Sequence, residues 1–350
     1  MFKLKKKNLI HTISPIVTVI MVAIVGVTIF QLINFPMPWM LGSLFGVLFT
    51  QLLWKLPMKW PVVMRNIGLL IVGTAIGQLF TFDILVAMQD TLLFMLLLNI
   101  MLSAFCLALA YALQKWAHIP LATALTASIP GGLSQLVVFA EEQEDIDVAV
   151  VTFFHVIRVL FVVGLIPIIV SLTGKVPETI ETGSTNLLHN GLLILLGFIL
   201  LPVGKKLKLP VPHFLTPVII GLLLSLLKVE IAPIDSNLLH IAQLCIGAYI
   251  GLLLHPKSLR LPKRVLIGGI SSAVLLLIIT FFIAKGMVLL FEMDFATSYL
   301  STAPGGMDQM GLIATALQAD ATQVTIFQLF RMLFIYIFIL PLLKWRLLKR

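Results

Sequence analysis

Long apolar runs recur from one end of the sequence to the other, and they constrain the fold more than any other feature. A helix of about 20 apolar residues crosses the hydrocarbon core of a bilayer. Helices also satisfy their own backbone hydrogen bonds in a medium without water. Only 11% of the residues are charged, whereas about a quarter are charged in soluble domains. We therefore predict an all-α, multi-pass membrane protein without a soluble domain.

The net charge of +9 comes from basic residues that cluster beside the apolar runs. Lysine and arginine next to membrane spans favour the cytoplasmic side, so the clusters indicate topology and not a nucleic-acid-binding face. No small-residue cleavage pattern follows the first apolar run, which we expect to be a retained span. The clusters are Lys3, Lys5, Lys6 and Lys7; Lys205, Lys206 and Lys208; Lys257, Arg260, Lys263 and Arg264; and Lys344, Arg346, Lys349 and Arg350.

The sequence matches itself at a fixed offset. Ile129-Pro130-Gly131-Gly132 corresponds to Ala303-Pro304-Gly305-Gly306 (304 − 130 = 174), and Phe35-Pro36-Met37-Pro38 corresponds in the same way to Leu209-Pro210-Val211-Pro212. We predict two membrane repeats, residues 1–174 and 175–350, each with six apolar segments. The segments are residues 9–33, 38–54, 62–80, 84–113, 121–140 and 146–172, then 186–203, 213–228, 236–254, 264–291, 296–317 and 322–346.

The fifth segment of each repeat is expected to break in its middle. Proline lacks an amide hydrogen and glycine permits unusual dihedrals, so Pro-Gly-Gly ends one helix and leaves backbone groups unpaired. An arm of about nine residues rises only about 14 Å, which lets a re-entrant segment reach the bilayer midplane and return. Five crossings per repeat then make the repeats inverted. A broken segment that crosses, with another segment failing to span, is the alternative.

The inverted arrangement also explains the charges of two loops at corresponding positions. The loop at 81–90 is acidic, whereas the loop at 255–264 is basic, and inversion places them on opposite sides. With the basic loops inside, both termini are expected in the cytoplasm.

Polar residues follow each break, and an arginine lies in each sixth segment. Half-helix N-termini attract anions, and a charge inside the bilayer is usually retained for a partner or a transport pathway. His155 and Gln328 each precede an arginine by three residues and so share its helix face. The candidate substrate-binding residues are Pro130, Gly131, Gly132, Ser134, Gln135, His155, Arg158, Pro304, Gly305, Gly306, Asp308, Gln309, Gln328 and Arg331.

One acidic side chain, Asp308, can neutralise only one of the two arginines. The sequence therefore predicts a net positive centre, which favours an anionic substrate such as a carboxylate. A structural role stays open, in which the arginines pair with Asp308 or bond to carbonyls freed by the breaks. Asp308 or His155 is also a candidate for coupling protons.

Other features indicate packing rather than chemistry. Gly73-x-x-x-Gly77 and Gly247-x-x-x-Gly251 are spacings that let helices approach closely. The two cysteines lie in apolar segments, and the histidines lack metal-ligand spacing. We therefore expect no metal, no cofactor and no catalytic residues.

The two Pro-Gly-Gly-Leu/Met-x-Gln motifs, each followed by an arginine-bearing span, resemble the duplicated AbrB-type membrane proteins of bacteria over essentially the whole chain. The resemblance implies a multi-pass protein of the bacterial inner membrane. Members carry labels such as ammonia monooxygenase and regulator of gene expression, and the family shares only its name with small DNA-binding AbrB regulators. The monooxygenase label implies a copper or iron site, for which the chain offers no His/Glu/Cys cluster.

The expected function is secondary transport of a small anionic metabolite through a midplane site where the repeats meet. A coupling proton or ion and the lipid bilayer are the expected partners, nucleic acid is not, and an oligomer is compatible with the sequence. The alternative is a membrane-embedded ligand sensor that regulates gene expression. An intramembrane enzyme is a third reading, without a convincing catalytic constellation.

Overall fold

The computed structural model describes residues 2–54, 56–80, 91–131, 133–143, 145–173, 187–229 and 233–348, and their regular structure is entirely helical. Among these residues, seven helices are long and apolar enough to cross a membrane, and three further apolar helices are shorter. The prediction of an all-helical, multi-span protein is confirmed. The seven spans are Pro15–Leu32, Leu92–Ala117, Val148–Thr173, Leu188–Lys206, Ser236–Leu253, Lys263–Phe291 and Ala321–Lys344.

The helices form two compact units, and each unit is discontinuous in sequence. The first comprises Met1–Phe82 and Val176–Pro256, and the second comprises Asp83–Lys175 and Lys257–Arg350. Each unit thus takes one part from either side of residue 174, so the compact units and the predicted repeats divide the chain differently.

Close helix packing at glycines dominates the first unit. A Cβ added at Gly77 would lie 2.7 Å from the carbonyl oxygen of Pro217, and one added at Gly251 would lie 2.5 Å from that of Leu44. The predicted role of the small-residue spacings is confirmed. The helices of this unit are α1 (Phe2–Leu32), α2 (Pro38–Leu53), α3 (Val62–Gly77), α8 (Leu187–Lys206), α9 (Pro212–Leu226) and α10 (Ser236–Leu253).

Two helices of the first unit begin in the same way. Pro38 and Pro212 each occupy the first turn, where a proline loses no helical hydrogen bond. The preceding residues, Met37 and Val211, have φ of 50° and 44°, the left-handed region that side chains rarely adopt. The matching Pro-x-Pro sequences therefore produce matching helix starts.

The second unit contains both Pro-Gly-Gly motifs, and we call it the broken-helix unit. Two eight-residue helices, Leu121–Ser128 and Phe295–Thr302, are buried over most of their length. Its helices are α4 (Leu92–Ala117), α5 (Leu121–Ser128), α6 (Leu133–Glu141), α7 (Val148–Thr173), α11 (Lys263–Phe291), α12 (Phe295–Thr302), α13 (Met307–Ala316), α14 (Ala321–Phe334) and α15 (Leu340–Leu348).

A π-helical segment, Ile335–Ile339, separates α14 from α15. A single π turn accommodates one extra residue in a helix. The offset from Arg158 to Arg331 is 173 residues (331 − 158), whereas that from Pro167 to Pro341 is 174 (341 − 167). The interval from Arg331 to Pro341 therefore contains one residue more than the interval from Arg158 to Pro167. The π turn lies in this interval and accounts for the change in offset.

Two predicted boundaries differ from the ends of the observed helices by more than three residues. The first helix begins at Phe2 and not at residue 9, because lysine is a good helix former and continues the helix beyond the apolar run. The fourth predicted segment, 84–113, starts within residues 81–90, which lie outside the described part. Its helix continues to Ala117, where Lys115 lies favourably in the last turn.

Candidate functional site

The second Pro-Gly-Gly motif ends a helix, as predicted. Helix α12 stops two residues before Pro304, since a proline clashes with helical backbone before it and offers no amide hydrogen. The amide of Gly305 donates to the carbonyl oxygen of Ala303 at 2.8 Å, which makes Pro304 the centre of a three-residue turn. The chain becomes helical again at Met307.

The first motif makes the same turn at its proline. Helix α5 ends at Ser128, and the amide of Gly131 donates to the carbonyl oxygen of Ile129 at 2.9 Å across Pro130. The next helix begins at Leu133. Three predicted site positions lie outside what the structure describes: residue Gly132 and the side chains of Ser134 and Gln135.

Arg331 is buried and bonds to the carbonyl groups that the second break leaves free. Its Nη1 donates to the carbonyl oxygen of Ala303 at 2.6 Å and to that of Thr302 at 3.3 Å. Its Nη2 donates to the carbonyl oxygen of Gly305 at 2.5 Å. The guanidinium therefore closes the C-terminal end of α12, which is the structural role that the sequence left open.

Gln328 completes this arrangement one helical turn before Arg331. Its Oε1 accepts a hydrogen bond from Nη2 of Arg331. Its Nε2 donates to the carbonyl oxygens of Leu300 at 2.7 Å and Ala303 at 3.1 Å. Both ends of the amide are used, so the expected shared face of Gln328 and Arg331 is confirmed.

The half-helix after the second break is capped by its own residues. Oε1 of Gln309 accepts from the amide of Gly306 at 2.9 Å. Asp308 is buried in the first turn of α13, where the helix dipole favours a carboxylate. The chain thus supplies an acceptor and a negative charge at this N-terminus, whereas the first turn of α6 contains no acidic residue.

Arg158 in the first half has a different set of partners. Its Nη1 donates to the carbonyl oxygen of Ser128 at 3.3 Å, and its Nη2 lies 2.5 Å from Nδ1 of His155. A guanidinium can only donate, so Nδ1 of His155 is the acceptor. The neutral imidazole then carries its hydrogen on Nε2, an assignment that follows from the hydrogen bond.

Two side-chain atoms of this cluster have no hydrogen-bond partner among the described residues: Nε of Arg158 and Oγ of Ser128. Nε2 of His155 has no side-chain partner there and faces the backbone of Thr126. The side chains of Arg158, His155 and Ser128 are 4%, 1% and 1% exposed. Leaving a buried donor unpaired costs about 1 to 3 kcal/mol. A ligand that presents acceptors to these donors would remove this cost.

The two halves also share unpartnered hydroxyl groups. Within the described residues, the hydroxyls of Ser298 and Ser301 on α12 lack partners, as does that of Ser128. Hydroxyls are therefore available on both sides. The two halves differ in the arginine and in the residue three positions before it. In the second half, these two side chains are largely hydrogen-bonded to backbone carbonyl groups.

Among the described residues, buried charged side chains occur in one of the two units. In the part of the chain that the structure describes, the buried charged side chains are Arg158, Asp308 and Arg331, all in the broken-helix unit. The two guanidinium groups are close enough to repel each other. With His155 neutral, the formal charge of these residues is positive, as the sequence predicts.

Serine and threonine residues of α5 and α12 were not among the predicted site residues, although all of them are buried. The hydroxyl of Thr123 accepts from the amide of Asp147 at 3.0 Å, and that of Thr297 accepts from the amide of Asp320 at 3.0 Å. The signal is visible in the sequence, because Thr123 and Ser128 have Thr297 and Thr302 at the repeat offset. The buried set is Thr123, Thr126, Ser128, Thr297, Ser298, Ser301 and Thr302.

Over the described ranges, no group of three or more His, Cys, Asp or Glu side chains is arranged to hold a metal ion. The two buried arginines and their neighbours offer hydrogen-bond donors and positive charge.

Comparison with known proteins identifies the family. The family model described as "Transition state regulatory protein AbrB" matches residues 39–346. The chain is 30% identical over 273 residues to the Escherichia coli (strain K12) protein named "Putative regulator AbrB", covering 75% of this chain and 76% of that protein. It is 27% identical over 297 residues to the Bacillus subtilis (strain 168) protein named "Uncharacterized protein YhjN", covering 79% and 76% respectively. No solved structure matches the chain significantly. The chain belongs to the AbrB family and is a multi-span helical membrane protein.

Proposed function

We propose that the chain is a secondary transporter of a small anionic metabolite, and that it is not an enzyme. The substrate binds in the broken-helix unit, where the two Pro-Gly-Gly breaks bring half-helix ends to the arginines. This is the kind of site that discontinuous membrane helices provide in secondary transporters.

The observation that carries the proposal is the buried positive centre. A charge in the membrane interior is costly and is usually retained for a partner or a pathway. Arg158 and Arg331 contribute two positive charges, while Asp308 contributes one negative charge. A monovalent anion would neutralise the remaining charge and would explain why both arginines are kept in the interior.

The proposal includes an inverted arrangement of the repeats in the cell membrane. Among the described residues, each half supplies five apolar helical segments besides its Pro-Gly-Gly segment. If the broken segments re-enter, five crossings per half invert the second half and place both termini in the cytoplasm. The inverted arrangement gives a coupling proton or ion access to the site from each side of the membrane in turn.

A ligand sensor is the second candidate. The family description and the name of the Escherichia coli relative both refer to regulation, which favours a role in controlling gene expression. A sensor would use the same buried centre to bind its ligand but would not move it across the bilayer.

Reconstitution of the full chain in proteoliposomes separates these functions. We expect accumulation of at least one radiolabelled organic anion from a panel of monocarboxylates and dicarboxylates under an imposed ion gradient. Binding of an anion without flux would favour the sensor, and chemical conversion of the anion would favour an enzyme. Protein-free liposomes provide the background rate.

A further inference from the structure

The two arginine clusters of the broken-helix unit have different hydrogen-bonding states, although both lie beside a Pro-Gly-Gly break. In the second half, both terminal nitrogens of Arg331 donate to carbonyl oxygens of the break, and both amide ends of Gln328 are bonded. In the first half, Arg158 reaches one carbonyl oxygen among the residues that the structure describes, that of Ser128. The first cluster therefore retains hydrogen-bonding capacity that the second has largely used.

We propose that Arg158, His155 and Ser128 form the oxyanion-binding end of the site, whereas Arg331 and Gln328 are positioning residues that hold the second break. The assignment deepens the proposed transport function and names the ligand class as a small, water-soluble oxyanion such as a carboxylate. Carboxylate oxygens accept hydrogen bonds, and their negative charge complements the positive charge of Arg158.

The hydrogen on His155 decides the ligand chemistry. Because Nδ1 accepts from Arg158, the neutral ring presents Nε2–H as a donor. Nε–H of Arg158 and the hydroxyl of Ser128 have no partners among the described residues, and together with Nε2–H of His155, which faces the backbone of Thr126, they give three donors for an oxyanion. A cation or a ligand with only donor groups would leave these N–H groups unsatisfied.

The half-helices that follow the two breaks also differ in the negative charge of their first turns. The first turn of α13 contains Asp308, and Gln309 bonds to the amide of Gly306. The first turn of α6 contains no acidic residue. A helix N-terminus favours an anion, and the half-helix after the second break has a carboxylate in its first turn, whereas the half-helix after the first break has none there.

Exchange of the residues three positions before the arginines tests this assignment. His155→Gln gives Arg158 the neighbour that Arg331 has, and Gln328→His does the reverse. Arg158→Lys and Arg331→Lys form a second pair, in which the charge stays but the planar guanidinium is lost. All four variants are made in the full-length chain and purified in detergent.

The readout is the unfolding midpoint of each protein in increasing sodium acetate, succinate, phosphate or sulfate, compared with sodium chloride at equal ionic strength. We expect at least one oxyanion to raise the parent midpoint in a saturable way. His155→Gln and Arg158→Lys should weaken the apparent affinity at least about tenfold, with midpoints near the parent in chloride. Gln328→His and Arg331→Lys should lower the midpoint in chloride and change the affinity less than about threefold.

Equal losses of affinity in both pairs would overturn the assignment, as would the absence of stabilisation of the parent by every oxyanion. Failure of the transport proposal has a different signature. An oxyanion that stabilises the parent through His155 and Arg158, yet is not moved in proteoliposomes, supports the binding assignment and contradicts transport.

Discussion

At the scale of single residues, the two buried arginines have different roles. Arg331 bonds to three carbonyl groups around Pro304, while Arg158 shares its contacts between one carbonyl and His155. The sequence predicts both positions, and the three-residue spacing predicts their neighbours. It does not predict the different partners, because these depend on the rotation of each helix relative to the turn it faces.

Arg331→Lys should destabilise the protein. An ammonium group cannot reach the carbonyl oxygens on both sides of the break at once, so at least one buried carbonyl loses its donor. We expect the free energy of unfolding to fall by about 2 kcal/mol or more, measured by denaturant titration in mixed micelles. Arg264→Lys is the control, since Arg264 is an exposed arginine of the same unit. Equal stability of the two variants would contradict the role given to Arg331.

At the scale of elements, glycines determine how closely the helices of the first unit pack. Gly77 in α3 and Gly221 in α9 face each other so closely that an added Cβ would meet backbone atoms. The small-residue spacing predicts that α3 packs tightly, but it does not identify the partner helix. That choice depends on long-range contacts, and Gly221 has no second glycine four residues away in its own helix that would mark it as the partner.

Gly221→Ala should separate α3 and α9. Because the obstacle is backbone and not a movable side chain, we expect a loss of about 1 to 3 kcal/mol in the free energy of unfolding. Gly191→Ala in α8 is the matched control, since nothing lies within 4 Å of its added Cβ. Alanine favours helix over glycine by about 0.5 to 1 kcal/mol, so this variant should be neutral or more stable. A stable Gly221→Ala protein would show that the contact is not tight.

At the scale of the whole molecule, the all-helical, multi-span character follows directly from the apolar runs, because backbone groups in hydrocarbon have few alternatives. The helix breaks were also predictable, since a proline followed by two glycines disfavours a continuous helix more than a lone proline does. The lone prolines Pro167 and Pro217 lie inside helices. The division into two discontinuous units was not predicted, because the apolar pattern gives the number of helices and not their neighbours. Orientation in the membrane is a prediction that rests on the loop charges.

The inverted arrangement places the loops after the two broken segments on opposite sides of the membrane. Asp145→Cys and Gln318→Cys, each in a background with Cys106→Ala and Cys245→Ala, introduce single exposed thiols. A membrane-impermeant maleimide should label Gln318→Cys in intact cells and Asp145→Cys only after permeabilisation. Labelling of both variants from the same side would rule out the inversion.

Anion flux through the buried positive centre is the central claim, and uptake by site variants in proteoliposomes tests it most directly. The parent, Arg158→Gln and the exposed control Arg264→Gln are reconstituted in equal amounts of folded protein, and uptake of the radiolabelled anion that the parent accumulates is measured. We predict uptake by Arg264→Gln at the parent rate and a loss of at least about tenfold in Arg158→Gln. Equal uptake by all three proteins would contradict the account.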